Sequence, residues 1–239
     1  MINFPGKKVV VKIYNRIKKE NDKIRAKKTF PNLDNYIFEL YFQSFGISAP
    51  LSLLYVLDNL LMAWKPLLTV EFGSGVSTVV LAKNLQNTNS KIITFDEDTF
   101  YLEKTRQNII KKYKADNIEF IPPLKEGEIN YRVFKRKELS SERESRLVII
   151  DGPTDERFTN EAKQIYEKII SSNTICIIDD TDREKNNMEA EKLSKIKYFK
   201  KIDLRDDIYS KKHRSSILFP YSLEGIIQKI PGIERIKIS

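Results

Sequence analysis

From about residue 67 onward the chain alternates short, unbroken apolar runs with segments of helical period. The runs are Leu67–Phe72, Lys91–Phe95, Asn117–Ile121, Arg146–Ile150 and Thr174–Ile178. Each is of strand length and lacks the in-out alternation of a half-exposed strand, which is how a strand buried on both faces reads. Helical segments over about 77–87, 99–114, 156–171 and 184–197 separate most of them. Residues 122–145, irregular and charged, lie between the third and fourth runs. This alternation predicts a parallel sheet covered on both faces, and right-handed crossovers make it doubly wound. After residue 197 the rhythm changes. Phe199–Leu204 and Ser215–Phe219 are strand-like runs joined by a polar loop with no helix between, so an antiparallel strand is expected in the sheet.

Ahead of the first run, residues 49–64 form a better helix than the basic segment before them. Leu53, Leu54, Leu57, Leu60, Leu61 and Trp64 make a broad apolar stripe, Pro50 suits the start and Pro66 ends it. Residues 7–28 are strongly basic, and Ile13, Ile17 and Ile24 mark one helical face. A solvated helix packed by one edge is the simpler reading, and a peripheral contact with a membrane surface or acidic partner is the sharper one. The expected organisation is an N-terminal helical extension (1–48), a central domain (49–221) and a C-terminal tail (222–239).

Composition narrows this picture. The 239 residues are 41% hydrophobic and 31% charged, a globular balance. The net charge of +9 is spread along the chain except near the N-terminus, and reads as a surface preference for Lys. The single cysteine, Cys176, lies in an apolar run, which excludes an intrachain disulfide and a cysteine zinc site. No stretch reaches the ~18 apolar residues of a membrane span, and the N-terminus lacks the apolar core of a signal peptide. A cytoplasmic protein is expected.

The strongest chemical signal is Val70-Glu71-Phe72-Gly73-Ser74-Gly75-Val76-Ser77-Thr78, set between a strand and a helix. Gly73 and Gly75 allow tight backbone angles and close approach of a ligand. The helix after them offers free N–H groups. Asp96 ends the next strand, where a carboxylate can accept ribose hydroxyls, and Asp98 suits a helix cap.

This stretch resembles the first motif of class I S-adenosylmethionine (SAM)-dependent methyltransferases, in an E-x-G-S-G-x-S-T form. The likeness covers about residues 50–219, and Ser77 stands where many members have a third glycine. It implies an α/β Rossmann-like fold: a doubly wound, mostly parallel seven-stranded sheet with a reversed last strand. It also implies cofactor contacts from Glu71, Gly73, Ser74, Gly75, Ser77, Thr78, Asp96 and Asp151. Glu71 and the glycines would hold the methionine end of SAM, and Asp96 its ribose. An acid directly before the glycines disfavours the rival reading, an NAD-binding oxidoreductase.

Asp151 closes the fourth strand, and Asp179 and Asp180 close the fifth. Parallel strands place these ends side by side, so the three carboxylates are expected near the cofactor as catalytic acids. They resemble the metal-binding acids of catechol-type and some sugar O-methyltransferases, which would allow Mg²⁺ bound by Asp151, Asp179 and Asp180. Alternatively Asp180 or Asp182 caps the next helix, and an acid acts as general base without metal. Arg157 and Arg183 each read as an anchor for an acidic substrate group or as a surface ion pair. His213, the one histidine, reads as a solvated loop residue, with a catalytic role as the alternative.

The place after the fourth strand holds Asp151-Gly152-Pro153, not the motif of base-amino methylation, so nucleic acid is disfavoured. The expected reaction is O-methylation of a sugar or small-molecule hydroxyl, as in bacterial polysaccharide synthesis, with a homo-oligomer allowed. The segment 122–145, with Tyr131, Phe134, Lys135, Arg136 and Lys137, is expected to wall the acceptor side. Two other classes stay open: a metal-dependent glycosyltransferase using Asp180-Thr181-Asp182, and a non-catalytic SAM-binding protein.

Overall fold

The computed structural model describes residues 6–43, 49–114, 116–125, 129–130, 144–152, 159–205 and 213–238, with side chains throughout except at 6–17, 160–161 and 235–238. Three helices come first: α1 (Gly6–Thr29), α2 (Asn35–Gln43) and α3 (Leu51–Ala63). The alternating part follows as β1 (Leu68–Phe72), α4 (Val76–Leu85), β2 (Lys91–Phe95), α5 (Thr99–Ile110), β3 (Ile118–Ile121), β4 (Arg146–Ile150), α6 (Asn160–Ile169), β5 (Thr174–Ile178) and α7 (Glu184–Ile196). The chain closes with β6 (Lys200–Arg205), β7 (Arg214–Phe219), the short helices α8 (Glu224–Ile227) and α9 (Ile233–Ile236), and β8 (Lys237–Ile238).

The sheet runs in the order β3-β2-β1-β4-β5-β7-β6-β8. Neighbours among β1 to β5 are parallel, and β7 lies antiparallel between β5 and β6. The doubly wound sheet with a reversed strand is therefore present. One addition goes beyond the seven strands expected: the two-residue β8 pairs with Asp203 and Leu204 of β6 at the edge.

The unbroken apolar runs are explained by two separate apolar layers. Every residue of β1, β4 and β5 is buried. Alternate positions serve opposite faces. Leu147, Ile149, Ile175 and Ile177 pack with α2, α3 and α4, while Val70, Phe72, Val148, Ile150, Cys176 and Ile178 pack with α6 and α7. Period two is hidden in the sequence because both faces need hydrophobes.

In α3, every residue from Leu51 to Leu61 is buried, including Asp58. That carboxylate takes Lys83 Nζ at 2.9 Å and Asn84 Nδ2 at 2.7 Å, both from α4. A buried charge with such partners is tolerated, so the polar break in this apolar helix is a bolt between α3 and α4. Two features lie outside the sequence reading. Helix α2 buries Ile37, Phe38, Leu40, Tyr41 and Phe42, and its first turn is capped by Asp34, which accepts from the N–H groups of Tyr36 and Ile37 at 2.8 and 3.3 Å. Beyond β7, Ile227, Ile230 and Ile233 are buried in the same layer as α3. Among the described side chains of α1, Ile24 is 56% exposed and Ala26 is buried, so the apolar face does not run through Ile24. Ile13 and Ile17 lie outside the described side chains.

Candidate active site

Because β1, β2, β4 and β5 are parallel and adjacent, the loops after them open at one edge of the sheet. Since β7 runs the other way, its first residues arrive at that same edge. The site is built from these five chain ends.

At the β1 end, Gly73 has φ +93, a left-handed angle that favours glycine. A Cβ there would stand 2.8 Å from the Gly152 nitrogen. In return, a Cβ on Gly152 would stand 3.1 Å from Gly73 Cα. Asp151 N and Gly152 N both donate to Phe72 O, at 2.9 and 2.7 Å. The loops after β1 and β4 are thus in backbone contact, which joins the glycine loop to the strand-end acids. Gly75 differs. A Cβ there would meet none of the described residues within 4 Å, so among them its side of the loop is open.

Glu71 is fully buried on β1. Its Oε2 accepts from Thr78 Oγ1 at 2.7 Å and Thr94 Oγ1 at 2.9 Å. Thr78 Oγ1 also accepts from Gly75 N at 3.0 Å, which fixes the loop at the start of α4. The other carboxylate oxygen, Oε1, is buried with no hydrogen-bond partner. Burial pushes the Glu71 carboxyl up to about 7, against the pull of the Ser77, Thr78 and Thr94 hydroxyls. A buried acid with an unused oxygen and, among the described residues, no ion-pair partner suits a ligand that brings a positive charge.

Asp96 ends β2 and is 6% exposed. Its Oδ2 accepts from Ser74 N at 2.8 Å and from the Ser74 hydroxyl, and its Oδ1 accepts from Asp98 N at 2.9 Å. Burial raises its pKa. Asp98 caps α5, accepting from Phe100 N at 2.7 Å and Tyr101 N at 3.2 Å, as expected. Cys176 is fully buried in β5, and burial raises its thiol pKa far above the physiological range, which removes it as a nucleophile.

At the other end, Asp151 is partly buried after β4. Asp179, 3% exposed, follows β5, and its backbone N donates to Ile150 O at 3.0 Å. Its Oδ1 accepts from Ser215 Oγ at 2.5 Å and lies 3.1 Å from His213 Nε2. The opposite ring nitrogen, His213 Nδ1, lies 3.5 Å from Asp180 Oδ1. Asp180 Oδ2 faces Arg183 Nη2 at 3.1 Å. Asp180 itself holds a left-handed φ of +54, a strained angle of the kind found where a side chain must be aimed. Asn186 Nδ2 donates to its carbonyl at 3.2 Å.

His213 is therefore not a solvated loop residue. Its side chain is 25% exposed and set between two carboxylates. Burial lowers its pKa, but Asp179 and Asp180 outweigh that and raise it to about 9. Burial likewise pushes the Asp179 carboxyl up, and the His213 contact and Ser215 hydrogen bond reverse the shift, leaving it below its ordinary value. The signal was available in the sequence. A reversed strand after the fifth brings its first residues to the fifth strand's acids, and His213 immediately precedes that strand.

Of the sequence-predicted residues, Glu71, Gly73, Ser74, Gly75, Ser77, Thr78 and Asp96 gather around the β1 loop. Asp179 and Asp180 gather with His213, and Asp151 does not join the tight cluster of ligand atoms those three form. Neither Asp180 nor Asp182 caps α7: Arg183 takes the cap position without a side-chain bond, and Asp182 Oδ1 accepts from Arg214 N at 3.4 Å. Arg183 is the ion-pair partner of Asp180. Arg157, Tyr131, Phe134, Lys135, Arg136 and Lys137 lie outside the described residues.

Of the three acids expected to bind Mg²⁺, Asp179 and Asp180 bring ligand atoms within 4.8 Å of one another and of a His213 nitrogen, a group that could hold a metal ion, and Asp151 is outside it.

Residues 70–181 match a family model described as "Methyltransferase domain". No curated protein matches the chain in sequence. Among solved structures, it is similar to the O-methyltransferase from Bacillus cereus in complex with S-adenosylhomocysteine (SAH), at 15% identity and TM-score 0.64, over 84% of this chain and 99% of that one. It is similar to the SAH-bound Podospora anserina methyltransferase PaMTH1 at 13% identity and TM-score 0.59, over 92% and 97%. A third similar structure is the SAM-bound O-methyltransferase TomG of Streptomyces achromogenes, involved in tomaymycin synthesis, at 12% identity and TM-score 0.57, over 78% and 90%.

Proposed function

We propose that this chain, a class I SAM-dependent methyltransferase, moves the SAM methyl group to a hydroxyl oxygen of a small-molecule acceptor, and that the acceptor is a sugar or a sugar-like polyol. The observation that carries the reading is the pairing, at one sheet edge, of a cation-seeking cradle (Glu71, Gly73, Gly75) with strand-end acids (Asp151, Asp179, Asp180). The similar solved structures include O-methyltransferases, which supports oxygen as the acceptor atom.

In this reading SAM supplies an activated methyl on sulfur, open to in-line attack. Glu71 Oε1, buried and without a partner, takes the amino group of the methionine end. Gly75 leaves room for the ligand to approach the backbone. Asp96 holds the ribose once the Ser74 hydroxyl gives way to the sugar hydroxyls. Asp151, one strand from Glu71 and in backbone contact with the Gly73 loop, receives the acceptor proton as the oxygen–methyl bond forms and the sulfur–methyl bond breaks. The site contributes alignment and charge placement to such a displacement. Asp179 and Asp180 form the wall on the acceptor side.

The test is SAM-dependent mass gain across a panel of sugar and small-molecule hydroxyl acceptors, with two variants. Asp151→Ala is expected to keep SAH binding and lose turnover by roughly two to four orders of magnitude, the usual worth of a general base. Asp96→Ala is expected to weaken SAH binding. Unchanged turnover in Asp151→Ala removes that residue from the mechanism, and methylation of nitrogen or carbon in preference to oxygen overturns the acceptor class.

A further inference from the structure

The net charge of this chain is concentrated in one element. Helix α1 holds ten of the 42 basic residues and two of the 33 acidic ones, a net of +8. The other 215 residues hold 32 basic and 31 acidic ones, a net of +1. None of the site residues at the sheet edge lies in α1. The helix is seated on α2 near its C-terminal end. Ala26 is fully buried, Lys23 Nζ meets Glu39 Oε2 at 3.0 Å, and the Lys23 and Lys27 ammonium groups stand 5.5 and 5.3 Å from the ring centres of Phe42 and Phe38. Ile24 is two positions from Ala26, about 200° round the helix, and is 56% exposed. Helical spacing puts positions 10, 13, 17 and 24 on one side of α1, and all four are Val or Ile. In the described part of the helix Lys18, Lys19 and Lys28 are exposed as well.

We propose that α1 seats the enzyme on an anionic lipid surface, with its Val/Ile stripe in the boundary between headgroups and acyl chains and its lysines and arginines against the lipid phosphates. The charge alone calls for a polyanion. Lys8, Lys12 and Arg16, and again Lys19, Lys23 and Lys27, follow one another at four-residue spacing, where like charges repel along a helix. An anionic surface offsets that repulsion. The stripe then selects lipid. A nucleic acid offers phosphates to the lysines but no apolar phase to an exposed isoleucine, whereas a bilayer interface offers both. The helix lies on the bilayer and does not cross it: among the described residues no helix is long and apolar enough to span a membrane. Methyl transfer gains a location from this contact, and the inference does not depend on which acceptor is methylated.

The test is co-sedimentation of the full chain with vesicles of phosphatidylcholine alone and of phosphatidylcholine with roughly a third phosphatidylglycerol. Binding to the anionic vesicles is expected to be tighter by at least about tenfold, and to fall steeply as salt rises from about 0.1 to 0.5 M. Two variants separate charge from stripe, and an unchanged unfolding midpoint reports that each is folded. The triple variant Lys18→Gln, Lys19→Gln, Lys28→Gln is expected to lose about tenfold or more in binding and to flatten the salt dependence. Ile24→Asn is expected to lose roughly fivefold and to keep the salt dependence. Equal binding to both kinds of vesicle, binding to neither, or binding indifferent to Ile24→Asn overturns the proposal. Tighter binding to a duplex oligonucleotide than to the anionic vesicles makes the partner a nucleic acid and overturns it too. So does a dimer that Ile24→Asn splits in place of vesicle binding, which gives the stripe to a second copy of the chain.

Discussion

Glu71 and Asp179 are both buried carboxylic acids at the same edge of the same sheet, and they carry opposite shifts. Glu71 has only hydroxyl partners, one unused oxygen, and a pKa raised by burial to about 7. Asp179 has an imidazole across one oxygen, and its pKa is lowered despite equal burial. Burial sets the same cost for both, and the partner decides whether the charge is kept. In the proposed reading the Glu71 end takes its positive charge from a ligand, whereas the Asp179 end has His213 beside it.

Three changes break or sharpen this contrast. The largest effect is expected at Gly73, where the two ends touch. Gly73→Ala forces a side chain into a left-handed angle, worth roughly 1–3 kcal/mol, and sets its Cβ 2.8 Å from the Gly152 nitrogen. Chemical unfolding is expected to show a stability loss above that strain alone, with loss of SAH binding. Gly75→Ala is the control: its Cβ enters open space, so stability should change by no more than about 0.5 kcal/mol while SAH binding falls.

The second change tests the cation-seeking end. With a pKa of about 7, Glu71 is half protonated near neutrality, so SAH affinity is expected to rise as pH increases through that value. Glu71→Gln should weaken SAH by about 10- to 100-fold at pH 8, the worth of a charged hydrogen bond, and flatten the pH profile. The other end titrates elsewhere. His213 has a raised pKa, so its stabilising contribution is complete below the ordinary histidine value and lost as pH rises through about 9. Asp179 has a lowered pKa, so its contribution is present above the ordinary aspartate value and lost as pH falls through the lower one. Unfolding across pH 5–10 should therefore show an alkaline loss of stability in wild type that His213→Asn lacks.

The smallest effect is expected from Ser215→Ala. Removing the hydroxyl that donates to Asp179 should cost about 1 kcal/mol. His213 keeps the carboxylate charged, so SAH affinity should not move.

The two ends were also unequally legible in the sequence. Glu71, Gly73, Gly75 and Asp96 lie within one strand-loop-helix-strand unit, so the glycines and Asp96 could be picked out by their spacing, and Glu71 by the family resemblance. The strands at Lys91–Phe95, Arg146–Ile150 and Thr174–Ile178 form over those same residues, because a strand buried on both faces is apolar along its whole length. The acceptor end depends on contact between β5 and β7, more than thirty residues apart. Its acids were visible, whereas His213 was marked only by its place just before the reversed strand, since nothing local to it signals burial. Helix α2 was missed for a different reason. Asp34 and the apolar Ile37, Phe38, Tyr41 and Phe42 form a short capped helix next to a long basic segment that drew the reading towards solvent. In β8, two residues are too few to show any period.

The central claim, a cradle for the methyl donor around Glu71, is tested most directly by calorimetric titration of the full chain with SAH, NAD and a nucleotide sugar in turn. The account predicts micromolar binding of SAH alone, undiminished by a metal chelator. Binding of NAD or of a nucleotide sugar in its place, with SAH silent, would contradict it.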